Sequence, residues 1–345
     1  HQQMKTVAKS YDKIADNSRY RFFGNVNIGA DITIAELKQR YDAIIIATGA
    51  ESDRKMGIDG EQSDGSYTAT EFVGWYNCHP NHQSKHFNLD ATKAVIIGQG
   101  NVAVDVTRIL AKSKKELSTT DISATAIEAL HNSKITDIYM IGRRGPAQGA
   151  FTKLELQELG NIDNVNIKIH DQLNLSKEDQ LEMEQSSKVK KNIETLQTLK
   201  EKKPYKSPIK TIHIMFYKSP TKIITKQNKV TAIELETTQL IGEAGSQKAK
   251  GTETYEELPC DIIFRSIGYL GIKLPGVSFN EKKGIIPNEK GQVINDNNEK
   301  DSQLFVTGWI KRGPSGVIGT NRSDSIETVQ SCLNEIENKA PMNAE

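Results

Sequence analysis

Short apolar runs bounded by turn residues recur along this chain, separated by stretches whose apolar residues repeat at helical spacing. Ala43-Ile44-Ile45-Ile46-Ala47, Val95-Ile96-Ile97 and the runs at 135–141, 261–266 and 304–308 read as buried strands. Residues 165–169 alternate polar and apolar as a half-buried strand does. Gly24 to Ile28 reads as a further short strand. Met4, Val7, Ala8, Tyr11, Ile14 and Ala15 fall at helical spacing, as do Val102, Val106, Ile109 and Leu110. Helices are also expected near 70–77 and 122–130. Ile326, Val329 and Leu333 give the last helix its apolar stripe. Thr33-x-x-Glu36 and Thr152-x-x-Glu155 have the form of capping boxes. Three β-like runs at 212–217, 222–225 and 230–237 predict an antiparallel β meander, and the polar stretch 241–256 predicts a loop. Residues 187–203 set Val189, Ile193 and Leu196 on one face. Lys188, Lys190, Lys191, Lys200, Lys202 and Lys203 lie on the other.

Alternating strands and helices predict an α/β protein with parallel sheets covered by helices. The 345 residues suffice for two domains. One, 51–268, is centred on the segment after Val95; the other is discontinuous, 1–50 and 269–345. The formal net charge of +1 argues against a nucleic-acid footprint. No apolar run reaches the length of a membrane span. Cys78, Cys260 and Cys332 lie far apart and form no Cys-x-x-Cys pair. They read as free thiols in a reducing compartment, with the cytoplasm as the expected location. His79 and His82 lie in a Pro-Asn turn and are read as ordinary surface histidines rather than metal ligands.

The chemistry concentrates after Val95. The run ends in Gly98-Gln99-Gly100-Asn101-Val102-Ala103, and an amphipathic segment follows. Gly98 permits a tight strand-to-helix turn, Gly100 lets backbone approach a pyrophosphate, and Ala103 lets helix pack on strand. The helix start offers free N–H groups and the positive end of its dipole to phosphates. The next strand ends in Arg143 and Arg144. An acid there would hold the 2′-hydroxyl of NAD; two guanidinium groups suit the 2′-phosphate of NADP(H).

Several blocks occur in order: Gly98-Gln-Gly-Asn-Val-Ala-Val-Asp105, Gly142-Arg-Arg-Gly-Pro146, Ala150-Phe-Thr152 with Glu155, Phe72-Val-Gly-Trp-Tyr-Asn77, Arg265-Ser-Ile-Gly-Tyr269, and Gly308-Trp-Ile-Lys-Arg-Gly-Pro-Ser-Gly-Val-Ile318. Over essentially its whole length the chain resembles adrenodoxin reductase and the bacterial NADPH–ferredoxin reductases. The resemblance implies two dinucleotide-binding (Rossmann-like) domains, with the meander in the NADP domain. FAD is expected in the discontinuous domain and NADP in 51–268. It implies hydride transfer from NADPH to the flavin and one-electron delivery to a ferredoxin-like iron–sulfur protein.

It also assigns residues. Gln99, Gly100, Asn101 and Val102 match the pyrophosphate turn, Arg143 and Arg144 the 2′-phosphate clamp, and Glu155 a position near the NADP ribose. Trp309, Gly316, Val317 and Ile318 match the flavin-contacting segment, with Gly316 where the nicotinamide stacks. Val26 matches a position beside the adenine, and Thr48-Gly49 the end of a flavin-domain strand. His1 and Asp105 match polar residues near the flavin ring, a candidate proton relay. The family's Gly-x-Gly-x-x-Gly turn for FAD would precede His1, so the FAD domain is expected to be incomplete at its N-terminus. The alternative reading is an NADP(H)-binding fragment without reductase activity, which flavin content would distinguish.

Overall fold

The computed structural model describes residues 8–316 and 318–337. They divide into two compact units, Lys55–Ile267 and Ala8–Arg54 with the chain from Gly268 onward.

In the first unit six strands form one sheet. Their spatial order is Ser66–Thr68, Ile262–Arg265, Lys93–Ile97, Asp137–Ile141, Lys210–Met215 and Val165–Ile169, and every neighbouring pair is parallel. Successive residues face opposite ways. Ala94, Ile96, Ile138, Met140, Ile212 and Ile214 enter the core beneath the helices. Val95, Ile97, Ile141, Met215 and Ile263 enter a second core, shared with an antiparallel sheet. A strand buried on both faces needs a continuous apolar run, which is what the sequence carries.

The antiparallel sheet comprises Lys218–Lys226, Lys229–Ile241 and Lys248–Pro259, with the middle strand in the centre. Two expectations are corrected here. The run 212–217 is not the first strand of the meander; most of it lies in the parallel strand Lys210–Met215. Residues 241–256 are not a loop: a short turn leads into the strand Lys248–Pro259. That strand is mostly exposed, so it needs no apolar alternation and reads as polar.

The second unit holds a four-stranded sheet in the order Ile44–Ile46, Lys300–Val306, Gln292–Ile294 and Asn288–Glu289. Ile44–Ile46 runs parallel to its neighbour; the other pairs are antiparallel. Ser52–Asp53 pairs with Tyr269–Leu270. Ile34, Ile46, Val277, Ile286, Val293, Leu304, Val306 and Ile310 form the core. Thr33 caps Ile34–Lys38 in the expected reciprocal box with Glu36. Three expectations fail. Residues 24–28 form no strand, only a bridge between Ile28 and Ile32. Ile45 is 43% exposed, so the run 43–47 is buried on one face only. The last helix, Ile318–Glu337, turns Thr328 and Cys332 inward and leaves Ile326, Val329 and Leu333 exposed.

Candidate functional site

The strand Lys93–Ile97 sits inside the parallel sheet and delivers the chain to Gly98. The Gly98 N–H donates to the Ile141 carbonyl at 2.8 Å. Its φ is +137°, and a Cβ there would collide with the Ser266 carbonyl oxygen. Only glycine satisfies both demands. The helix Asn101–Ala111 begins with Gly100 as its N-cap, and no side chain caps it. Its first N–H groups are therefore left for a ligand or water. A Cβ on Gly100 would reach only the Ala150 methyl, at 4.0 Å, so the space before the helix is open. Ala103 is fully buried.

The side chains of Gln99 and Asn101 are engaged elsewhere. Gln99 Nε2 donates to the Met215 carbonyl at 3.0 Å, and its carbonyl accepts the Ala150 N–H at 2.8 Å. Asn101 Oδ1 accepts the Thr152 N–H at 2.8 Å. What the turn offers a phosphate is its backbone, including the N–H of the half-buried Val102.

The Thr152-x-x-Glu155 box is not formed. Thr152 is the N-cap of Lys153–Gly160 but accepts no cap hydrogen bond with its side chain. Glu155 instead pairs with Arg108 at 3.2 Å. Arg108 is 1% exposed and also pairs with Asp105 and Glu158. Burial pushes the Asp105 carboxyl up, against the pull of Arg108. Asp105 thus takes part in an ionic knot between two helices, centred on the buried Arg108. Sequence reasoning missed Arg108, although a lone arginine inside Val106-Thr-Arg-Ile-Leu-Ala111 was a visible signal.

Arg143 and Arg144 follow the strand Asp137–Ile141. Both are exposed, and neither forms an ion pair with a described residue. Their backbone is held firmly. Thr238 Oγ1 donates to the Arg143 carbonyl at 2.7 Å, and the Tyr217 N–H donates to the Arg144 carbonyl at 3.2 Å. Just beyond, Gln148 Nε2 donates to Asp179 Oδ1 at 2.9 Å and to Gln247 Oε1 at 3.1 Å. Thr238, Tyr217 and Gln148 gave no signal in the sequence.

In the second unit Gly308 (φ +76°) opens the short helix Trp309–Arg312. Trp309 stacks on Tyr269 with ring centroids 5.7 Å apart. The Gly308 N–H donates to Asp324 Oδ2 at 2.6 Å. Burial alone would raise the Asp324 carboxyl. That hydrogen bond, with the Lys311 and Arg312 cations, outweighs it and holds the group below the usual carboxylate range. Gly316 is exposed with φ +82°, and Ile318 begins the helix Ile318–Glu337. Thr48 and Gly49 lie in the loop after Ile44–Ile46, and Val26 is 45% exposed on a loop. His1 and Val317 lie outside the described residues.

The residues present fit both cofactors. An uncapped helix start, with two guanidinium groups that have no ion-pair partner among the described residues after the adjacent strand, fits a phosphorylated dinucleotide. The Trp309 face, beside a Gly308 whose Cβ position has open space, fits a flat ring. No helix among the described residues is long and apolar enough to cross a membrane, and no described cluster of His, Cys, Asp or Glu is arranged to hold a metal ion.

Residues 3–196 match the family described as pyridine nucleotide-disulphide oxidoreductase. NADPH-ferredoxin reductase FprA of Mycobacterium leprae is 42% identical over 337 residues, covering 97% of this chain and 72% of that protein. The mitochondrial NADPH:adrenodoxin oxidoreductase of Arabidopsis thaliana is 38% identical over 351 residues, covering 98% and 72%. The structure of Mycobacterium tuberculosis FprA in complex with NADPH superposes with a TM-score of 0.90 at 40% identity, covering 97% of this chain and 72% of that one.

Proposed function

The chain belongs to the pyridine nucleotide-disulphide oxidoreductase family, and from that premise we propose that it passes electrons from NADPH, through FAD, to a ferredoxin- or adrenodoxin-type iron–sulfur protein. Relatives named as NADPH-ferredoxin and NADPH:adrenodoxin reductases support the reading. When bound, FAD supplies the link between the two-electron hydride chemistry of NADPH and the one-electron chemistry of an iron–sulfur centre. The chain's own residues bind and orient.

In this reading Lys55–Ile267 is the NADP domain and the other unit the FAD domain. The N–H groups at Gly100, Asn101 and Val102 receive the pyrophosphate, stabilised by the helix dipole. Arg143 and Arg144 grip the 2′-phosphate with charge-assisted hydrogen bonds. Glu155, anchored by Arg108, borders the ribose. Trp309 walls the flavin, and Gly316 with the start of the helix Ile318–Glu337 meets its ring; Val317 is assigned there by the resemblance alone. Gly316 lacks the side chain that would keep the nicotinamide from stacking. Val26, Thr48 and Gly49 complete the flavin side. Hydride transfer needs no general base, so His1 and Asp105 serve at most as a proton path.

Lys188, Lys190, Lys191 and Lys200 on the exposed face of Ser187–Glu201 steer an acidic acceptor. Cys78, Cys260 and Cys332, none of them joined in a disulfide, favour a reducing location, the cytoplasm.

The observation that carries the proposal is a pair of exposed arginines, without an ion-pair partner among the described residues, following the strand next to the uncapped helix start. Replacing both, Arg143→Ala with Arg144→Ala, removes hydrogen bonds to a charged group worth about 1.5–3 kcal/mol each. Equilibrium titration should show NADPH weakened on the order of 100-fold and NADH nearly unchanged. Equal losses for the two dinucleotides would refute the clamp.

A further inference from the structure

The Arg143–Arg144 turn does not hold its own shape. Three consecutive carbonyls, of Gly142, Arg143 and Arg144, accept hydrogen bonds from the antiparallel sheet or the residue leading into it. The Lys218 N–H donates to Gly142 at 3.0 Å and the Tyr217 N–H to Arg144 at 3.2 Å. Thr238 Oγ1 donates to Arg143 at 2.7 Å. The Thr238 N–H in turn donates to the Tyr217 carbonyl at 2.8 Å, which locks two of the donors to each other. Fixing three successive peptide planes fixes the directions in which both arginine side chains leave the turn.

Two further features suit a built support. Tyr217 has φ +54°, a left-handed conformation rare for a bulky residue, and it is from there that its N–H reaches Arg144. Thr238 is 6% exposed, so its hydroxyl is not competing with bulk water for the Arg143 carbonyl. Two of the three donors are main-chain groups. The Thr238 hydroxyl is the one that a side-chain substitution removes.

We propose that the three-stranded antiparallel sheet is the platform that sets preference for NADPH over NADH, with Thr238 as its specificity-positioning residue. The proposal rests on the reading of Arg143 and Arg144 as the 2′-phosphate clamp. Thr238 acts through those arginines. Two exposed guanidinium groups on a free turn would lose entropy on gripping a phosphate; a turn already fixed loses less.

The test uses the full chain and two probes, NADP⁺ and NAD⁺, titrated by calorimetry. Thr238→Val keeps the branched shape and removes the donor; Thr238→Ala repeats the removal without the branch. Each is expected to weaken NADP⁺ about 3- to 10-fold, the effect of one hydrogen bond, and to leave NAD⁺ within about 2-fold. Thr238→Ser keeps a hydroxyl and should restore the preference. In the Arg143→Ala, Arg144→Ala background, Thr238→Val should leave NADP⁺ binding as it finds it, because the clamp it positions is gone. The proposal is overturned if Thr238→Val and Thr238→Ala weaken both dinucleotides equally, or weaken neither, while the double arginine variant loses its preference. If the double arginine variant keeps its preference, the clamp reading itself has failed.

Discussion

The two units use their sheets differently. In Lys55–Ile267 every central strand has helices on one face and the antiparallel sheet on the other, and Val95, Ile138, Ile212 and Ile263 are all fully buried. In the second unit the strand Ile44–Ile46 ends a four-stranded sheet, Ile45 is exposed, and so are Phe22, Phe23, Ile326 and Val329. The candidate sites follow suit. In the first unit the turn at Gly98–Asn101 and the arginine turn are fastened by hydrogen bonds from several elements. In the second, Gly308 rests on Asp324, and Gly49, Gly308 and Gly313 face open space, whereas a Cβ on Gly316 would meet Thr320. A crowded scaffold makes a site intolerant of added atoms; an open one makes it tolerant. The chain's two tryptophans report separately, Trp75 in the first unit and Trp309 in the second. Single Trp→Phe variants therefore allow each unit's unfolding to be followed by itself.

The largest expected effect is at the glycines. Gly98→Ala adds a methyl against the Ser266 carbonyl at a backbone angle already unsuited to alanine. It should cost about 3–5 kcal/mol, read as an early transition at Trp75. Gly308→Ala meets no atom within 4 Å, so only its backbone angles (φ +76°, ψ −150°) oppose it. It should cost about 1–3 kcal/mol at Trp309. Equal costs would break the contrast between crowded and open sites.

Next come the isoleucines. Ile138→Ala empties a fully buried position and should cost about 2–5 kcal/mol. Ile326→Ala, at a residue 61% exposed, should stay within about 0.5 kcal/mol. Denaturant midpoints measure both. A large loss at Ile326 would mean that its face of the last helix is covered in solution.

That helix also shows where sequence reasoning fails. Its apolar residues at 326, 329 and 333 predicted the inward face. The helix approaches the sheet so closely at Gly291 that a Cβ there would strike Thr328, and only the face bearing Thr328 and Cys332 fits. Closeness of approach is a tertiary fact that periodicity does not encode. The same holds for Thr152 and Glu155, whose box loses to Asn101 and Arg108, both distant in sequence. The strand Lys248–Pro259 was hidden because a hairpin exposed on most positions leaves no apolar pattern. What the chain did display was local in sequence: the Gly98 turn, the Thr33–Glu36 box and the arginine pair are each visible within a short run of residues. The supports of the arginine turn, Thr238 and Tyr217, lie far along the chain and carry no motif.

The smallest effect separates the units by pH. All seven histidines lie outside 8–54 and 268–345. Within the first unit, His213 Nε2 is 2.9 Å from Asp137 Oδ1, and His213 Nδ1 is 2.9 Å from His170 Nε2. If Nε2–H donates to the carboxylate, Nδ1 is left to accept from His170 Nε2–H. A proton added at His213 Nδ1 would set N–H against N–H. Burial lowers the affinity of His213 for a proton, against the pull of Asp137, and burial lowers that of His170 too. Both fold-state values thus lie below the ordinary 6.5, so the unfolded chain binds the proton first. Their contribution is complete above pH 6.5 and is lost as pH falls below it. The second unit answers through carboxylates such as Asp301 and Asp324, both held below 3.8, so its loss begins only in stronger acid. Between pH 6.5 and 5 the transition at Trp75 should move down while that at Trp309 stays. His213→Gln should flatten the Trp75 response. A parallel decline at both tryptophans, unchanged in that variant, would place the acid sensitivity outside the histidine pair.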